Sequence, residues 1–302
     1  MKKLLKNNSM ILMEGAIVER LRRSDGINLH DILVNALLIY DKNAGDVMAE
    51  IYQGYIDIAL SADLPILLTT PTWRTNRERV ANTGTSKCIN IDAVHYLQKI
   101  RDLKKNSSGV IKIGGMVGCR NDCYLPDEGL PVSEAQEFHS WQIEQLVKGG
   151  IDFLIAETLP NVQEALGIAK AMQSTRIPYI ISFVISRDGC VLDGTSLDEA
   201  IGLIDSNTDI KPLGYTVNCA HPSFLSPLKQ LAKVCDRLIG YIANASSLDH
   251  CELDTADKME VDSVSEWGNL MLDLNKTYGV KILGGCCGTS NEHLQYLVDN
   301  SK

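Results

Sequence analysis

Eight short apolar or β-branched runs recur along the chain, and they constrain its fold more than any other feature. They lie at Met10–Glu14, Pro65–Thr69, Val110–Val117, Asp152–Glu157, Pro178–Ile185, Leu213–Cys219, Arg237–Ala243 and Val280–Gly284. None shows a clean polar alternation, which is the pattern of parallel strands buried on both faces. Amphipathic stretches separate them. Val47, Ile51, Tyr55 and Ile58 recur at helical spacing, as do Phe138, Ile143, Leu146 and Val147. Ser133 with Gln136 reads as a capping box before the second stretch, and Asn161 and Ser223 read as N-caps. Eight strands alternating with helices predict an α/β fold, a single (β/α)8 TIM barrel over residues 1–302. An open doubly wound sheet is the alternative; no GxGxxG opens the first βα unit, which weakens it.

Composition narrows the function classes. The 45% apolar content can fill one large core, and the net charge of −9 argues against non-specific nucleic-acid binding, which needs a cationic surface. No run of eighteen apolar residues appears, so no membrane span is expected. The opening MKKLLKNNSMILMEG has no continuous apolar segment and no small-residue cleavage site; it reads as a frayed lead-in to the first strand. Nine cysteines without a secretion signal point to a reducing compartment, hence a cytoplasmic protein. Cys88, Cys190, Cys235 and Cys251 are scattered and read as small buried hydrophobes.

Polar residues cluster at the ends of the predicted strands. Glu14, Thr69–Thr70, Cys119, Glu157–Thr158, Ser186, Asn218–Cys219, Asn244 and Gly284–Cys287 all lie at or just beyond a C-terminal strand end. In a barrel those ends converge on one face, where the chemistry sits.

The most specific string is Gly284-Gly285-Cys286-Cys287-Gly288-Thr289. Adjacent side chains of a regular strand point to opposite faces, so both sulfurs reach one metal only if the backbone departs from strand geometry. The flanking glycines permit that. Two thiols at a glycine turn with no metal are the plain alternative. A third ligand must come from elsewhere, and Cys219 ends the sixth strand on the same rim. His221 and the C-x3-C pair Cys119 and Cys123 are rivals for that place; the pair sits in a long βα loop and suits a substrate-proximal or structural role. Three thiolates leave zinc one open tetrahedral position. Such an electron-rich centre activates water poorly but suits a substrate thiol, which is only a few per cent ionised near neutrality when free. Attack of the anionic sulfur on a cationic methyl donor destroys charge, and a low-dielectric barrel mouth favours that.

These residues resemble the homocysteine S-methyltransferase family, whose members include betaine-, S-methylmethionine- and S-adenosylmethionine-dependent enzymes and the homocysteine module of cobalamin-dependent methionine synthase. The resemblance runs from Met13-Glu14-Gly15-Ala16 through Ala156-Glu157-Thr158-Leu159-Pro160, Asp193-Gly194-Thr195 and Val217-Asn218-Cys219 to the final Gly-Cys-Cys-Gly string. It implies that Cys219, Cys286 and Cys287 bind Zn2+, that Glu157 holds the amino group of homocysteine, and that Glu14 stands where the family usually has an Asp contacting the same substrate. Asn218 would orient a loop or donate to the substrate. The chain departs from the family's D-G-(G/A)-M-G-T-x-L opening at Glu14, Ile17, Val18 and Glu19. It also replaces a P-N-x-G-E-like string by the stretch from Ile242 to Asp249. Those departures bear on the acceptor and the methyl donor.

A sulfonium or quaternary ammonium donor is commonly held by aromatic faces. Trp73 after strand two and Tyr241 near the end of strand seven are the candidates, with Tyr124 and Phe183 behind them. One barrel uses the whole chain and leaves no room for a folate- or cobalamin-binding domain, so a separate corrinoid protein is a possible partner. The expected activity is methylation of homocysteine to methionine with a sulfonium donor such as S-methylmethionine or S-adenosylmethionine. Another thiol or selenol acceptor, a betaine or corrinoid-protein donor, and a non-catalytic metal- or thiol-binding barrel are the alternatives.

Overall fold

The computed structural model describes residues 1–105, 109–225, 232–248 and 261–301. Each apolar run contains one strand: β1 Ile11–Met13, β2 Ile66–Thr69, β3 Ile111–Gly118, β4 Phe153–Leu159, β5 Tyr179–Phe183, β6 Gly214–Asn218, β7 Leu238–Ala243 and β8 Ile282–Gly285. All neighbours pair in parallel, and β8 pairs with β1 to close the barrel. The fold is the (β/α)8 barrel. Two C-terminal strand ends differ from the sequence reading by two residues, the others by one at most. β4 runs past Glu157 to Leu159, while β5 stops at Phe183, where the chain turns away and Ile185 bridges Val191.

Alternate residues of each strand serve two apolar layers, as the pleat requires. Ile11, Met13, Leu67, Phe153, Ile155, Ile180, Ile242 and Ile282 fill the barrel interior. Leu12, Leu68, Leu154, Ile181, Tyr215 and Leu283 face the helices. Gly114 on β3 makes room inside, since a Cβ there would strike the Phe153 ring. The helices present their apolar stripes to this layer. In Lys42–Ser61, Ile51, Tyr55 and Ile58 are buried and Val47 is half-buried; in Val132–Gly149, Ile143 and Leu146 are buried.

The amino terminus is not a frayed lead-in. Lys2–Asn7 is a helix; Met1 before it and Leu4 and Leu5 within it pack against the interior cluster, and Lys281 Nζ donates to the Leu5 carbonyl at 2.7 Å. Hydrophobic closure of one barrel end drives this short helix, despite its length being marginal alone. The capping reading needs similar correction. Val132–Gly149 starts on Pro131 with no side-chain cap, so Ser133 lies inside the helix. Ser223 lies within a 3-10 turn, Pro222–Phe224, capped by His221. Asn161 does cap its helix, accepting from the Gln163 and Glu164 amides at 2.9 and 3.1 Å. Cys88 is exposed and Cys190 half-buried, neither a core hydrophobe; Cys251 and the Cys235 side chain lie outside the described residues. No helix among the described residues is long and apolar enough to cross a membrane.

Candidate active site

A cavity of about 500 Å³ opens at the C-terminal ends of the strands. Its wall includes Glu14, Glu157, Asn218, Trp73, Cys219, Cys286 and Cys287 from the sequence-predicted set. Cys219 and Asn218 both face it, which adjacent residues of a regular strand cannot do. The backbone solves this at Cys219, whose φ of +53° is left-handed, with its amide held by the Ile242 carbonyl at 3.2 Å. Beyond β8, the Cys286 amide donates to the Ala243 carbonyl at 2.7 Å and the Cys287 carbonyl accepts from the Ala245 amide at 2.9 Å. Gly288 then turns with φ of +80°, where a side chain would be strained.

These turns bring the sulfurs of Cys219, Cys286 and Cys287 within 4.8 Å of one another, with Cys219 and Cys286 at 2.6 Å. Sulfurs bound to one zinc at about 2.3 Å in tetrahedral geometry sit about 3.8 Å apart. The three sulfurs are near enough to share a single ion, with the Cys219–Cys286 pair opening from 2.6 Å to about 3.8 Å to do so. Cys119 and Cys123 do not join the group among the described residues, although Cys123 lines the cavity. His221 does not join it either: its Nδ1 faces Ser223 Oγ at 2.8 Å and its Nε2 faces Asp262 at 3.2 Å. Without a cation the three thiols are unequal. Hydrogen bonds toward Cys286 and Cys287, with burial, push Cys219 up. Cys287 receives those bonds and is held well below the usual thiol range, with Arg22 nearby adding to the effect.

Two buried carboxylates occupy the same cavity. Glu14 accepts from the Thr69 amide at 2.8 and 3.0 Å and also from the Thr69 hydroxyl. Burial pushes its carboxyl up to about 8, against those hydrogen bonds and with the Glu157 charge adding to the rise. Burial pushes Glu157 up to about 7, and its Oε1 has no hydrogen-bond partner among the described residues. Two such buried groups in one cavity, neither of them ion-paired among the described residues, favour a cationic ligand that would let them ionise.

Asn218 holds the rim together. Its Oδ1 accepts from the Thr158 amide at 2.9 Å and from the Ser182 hydroxyl at 2.7 Å, while its Nδ2 donates to Cys219 Sγ at 3.3 Å. Trp73 lines the cavity, but its Nε1 donates to Thr158 Oγ1 at 2.8 Å and the Arg74 guanidinium lies 4.1 Å from its ring centre. One face of the indole thus already carries a cation. Tyr241 is not brought to the cavity. It points outward into the helix-facing layer, fully buried, and its hydroxyl donates to the His221 carbonyl at 2.9 Å. On β7 it is Ile242 whose side chain turns inward, so the pleat sends Tyr241 the other way. Phe183 is buried in the same outer layer.

The long loop after β3, read from the sequence as substrate-proximal or structural, and the departing segment after β1 both wall the cavity; Arg22 and Arg23 were not singled out in the sequence. Tyr124, Cys123, Glu19, Arg22 and Arg23 all line the space. Tyr124 is half-buried, its phenol pushed up by burial and by the nearby cysteines. Glu164, buried at the first turn of Val162–Ser174, fastens that loop. It accepts from the Arg120 amide at 2.8 Å and the Leu130 amide at 3.3 Å, and faces His139 Nε2 at 2.9 Å. The Glu three residues after Asn161 was a visible signal for a capped, anchored turn.

The family model for homocysteine S-methyltransferase matches residues 11–300. The homocysteine S-methyltransferase YbgG of Bacillus subtilis (strain 168) is 24% identical over 306 residues, covering 95% of this chain and 92% of its own. The homocysteine S-methyltransferase of Escherichia coli (strain K12) is 24% identical over 310 residues, with 95% and 94% covered. Homocysteine S-methyltransferase 2 of Arabidopsis thaliana is 27% identical over 174 residues, so the chain spans only about half (49%) of that relative's length. The crystal structure of the homocysteine methyltransferase MmuM from Escherichia coli, in its metallated form, has the same fold. Its TM-score is 0.76 at 20% identity, over 99% of each chain. With a match reaching from the first strand to the last helix, the chain belongs to the homocysteine S-methyltransferase family of methyltransferases.

Proposed function

We propose that this protein methylates the sulfur of homocysteine to give methionine, with Cys219, Cys286 and Cys287 holding zinc and a sulfonium compound as donor. The supporting observation is the pairing of three convergent cysteine sulfurs with two buried, cation-free carboxylates in one cavity. Homocysteine carries the two matching groups, a thiol and an ammonium. Bound zinc supplies the positive charge that keeps a substrate sulfur ionised near neutrality. The rest is work for the chain's own residues. Glu157, with its free Oε1, accepts from the substrate ammonium, and Glu14 lies close enough for its charge to be felt there. Asn218 fixes the direction of Cys219. The apolar walls at Met13, Ile17, Met116 and Ile242 lower the local dielectric.

In the transfer, the substrate sulfur forms a bond to the methyl carbon while the donor's sulfur–methyl bond breaks. The donor leaves as a neutral thioether, and the thiol proton is lost to solvent. Two opposite charges disappear together, so a dry cavity favours the step. The Arg74 guanidinium on the Trp73 face argues against an aromatic cage there, and leaves the anionic cysteine cluster and carboxylates as the attraction for a cationic donor. A donor panel tests the reading: homocysteine with S-methylmethionine, S-adenosylmethionine, betaine or a methylated corrinoid protein, followed by mass spectrometry. Methionine with a sulfonium donor supports it. Methylation of other thiols or selenols only, or one equivalent of zinc with no turnover, contradicts it.

A further inference from the structure

The segment after β1, where the chain departs from the family's opening, is stitched to the cysteine turn at three points. The Gly285 amide donates to the Glu14 carbonyl at 3.0 Å. The Ala16 amide donates to Thr289 Oγ1 at 3.0 Å, and that hydroxyl donates in turn to the Cys286 carbonyl at 2.7 Å. The third stitch is a side chain: Glu19 Oε2 accepts from the Gly288 amide. Its other oxygen, Oε1, pairs with Arg23 at 2.9 Å, and the Glu19 side chain is only 17% exposed. A carboxylate therefore grips the residue next to Cys287 and is itself held by an arginine.

We propose that Glu19 is a positioning residue for the metal turn, setting the place of Cys287 through the Gly288 amide and so strengthening metal retention; this rests on the zinc reading above. Three features of the site make the grip consequential. Gly288 is in the left-handed region, so nothing in its own conformational preference forces the turn to stay. Cys287 is the exposed member of the trio, with the least packing of the three to hold it in place. A charged acceptor bonds an amide more strongly than a neutral one. The Glu at position 19 thus has a use that its departure from the family pattern would otherwise leave unexplained. Partners behind metal ligands typically carry a tenfold to hundredfold effect on affinity.

The test uses the full chain, loaded with zinc for the affinity measurement and metal-free for amide exchange. Competition with a chromophoric chelator should show zinc affinity falling on the order of 10- to 100-fold in Glu19→Ala. Glu19→Gln, which keeps an oxygen acceptor but not its charge, should recover part of it. Exchange of the Gly288 amide, followed by NMR in metal-free protein, reads the tether itself and should accelerate in Glu19→Ala. Zinc affinity within twofold of the wild type in Glu19→Ala, or unchanged Gly288 exchange, would overturn the proposal. If the wild type bound no zinc, the functional reading would fail and the metal-retention role would fall with it. A wild type that binds zinc alongside an indifferent Glu19→Ala refutes only the role of Glu19.

Discussion

Asn218 Nδ2 donates to Cys219 Sγ at 3.3 Å while its own oxygen is held by the Thr158 amide and the Ser182 hydroxyl. The side chain therefore has one fixed orientation, with its donor end on a sulfur of the cysteine trio. Asn218→Asp keeps the acceptor oxygen, removes that donor and adds a negative charge beside an anionic cluster. We expect zinc affinity, measured by chelator competition, to drop about 10- to 100-fold. The melting temperature of the metal-free protein should change much less. Unaltered zinc affinity would show that the contact is incidental.

The two carboxylates give a pH signature. Near pH 6.5 burial keeps Glu14 and Glu157 largely protonated, since their values stand at about 8 and about 7. An ammonium ligand favours their ionised forms, so its binding expels protons. Methionine carries no thiol proton and isolates this effect. Calorimetry in buffers of different ionisation enthalpy should show proton release at pH 6.5 that declines as pH rises past 8, with affinity increasing over the same interval. The sign follows from the raised values: the free site holds protons that the bound site does not. Glu157→Gln should lose much of the release. Binding without proton release at pH 6.5 would mean that the ammonium does not meet these groups.

Much of this arrangement was legible in the sequence, for a physical reason. Parallel strands buried on both faces must be continuous apolar runs, and all eight runs hold a strand. A (β/α)8 barrel then forces strand ends together, which is why residues as distant as Glu14 and Cys287 could be assigned to one rim. What could not be read depended on details that a residue string does not encode. Tyr241 and Ile242 are adjacent apolar residues, and only the register of β7 decides which faces inward. Trp73 looked free to hold a cation until the fold placed Arg74 over its ring. The Lys2–Asn7 helix forms because the barrel end needs closing, a tertiary demand that overrides weak local preference.

Glu164 supplies a third prediction. It is 1% exposed and accepts from two loop amides while facing His139. Glu164→Ala leaves the Arg120 and Leu130 amides without this acceptor, a loss of about 2–4 kcal/mol in stability by denaturant titration. The loop it fastens carries Cys123 and Tyr124 on the cavity wall. The KM for homocysteine should therefore rise several-fold more than kcat falls. An equal fall in kcat with KM unchanged would contradict a role in holding that wall.

The central claim is that the three cysteines hold the metal on which methyl transfer to homocysteine depends. The most direct measurement is zinc content by mass spectrometry together with methionine formation, in wild type and Cys286→Ala. The account predicts one zinc per chain and methionine formation for the wild type, and neither for the variant. Full zinc content and undiminished methionine formation in Cys286→Ala would contradict it.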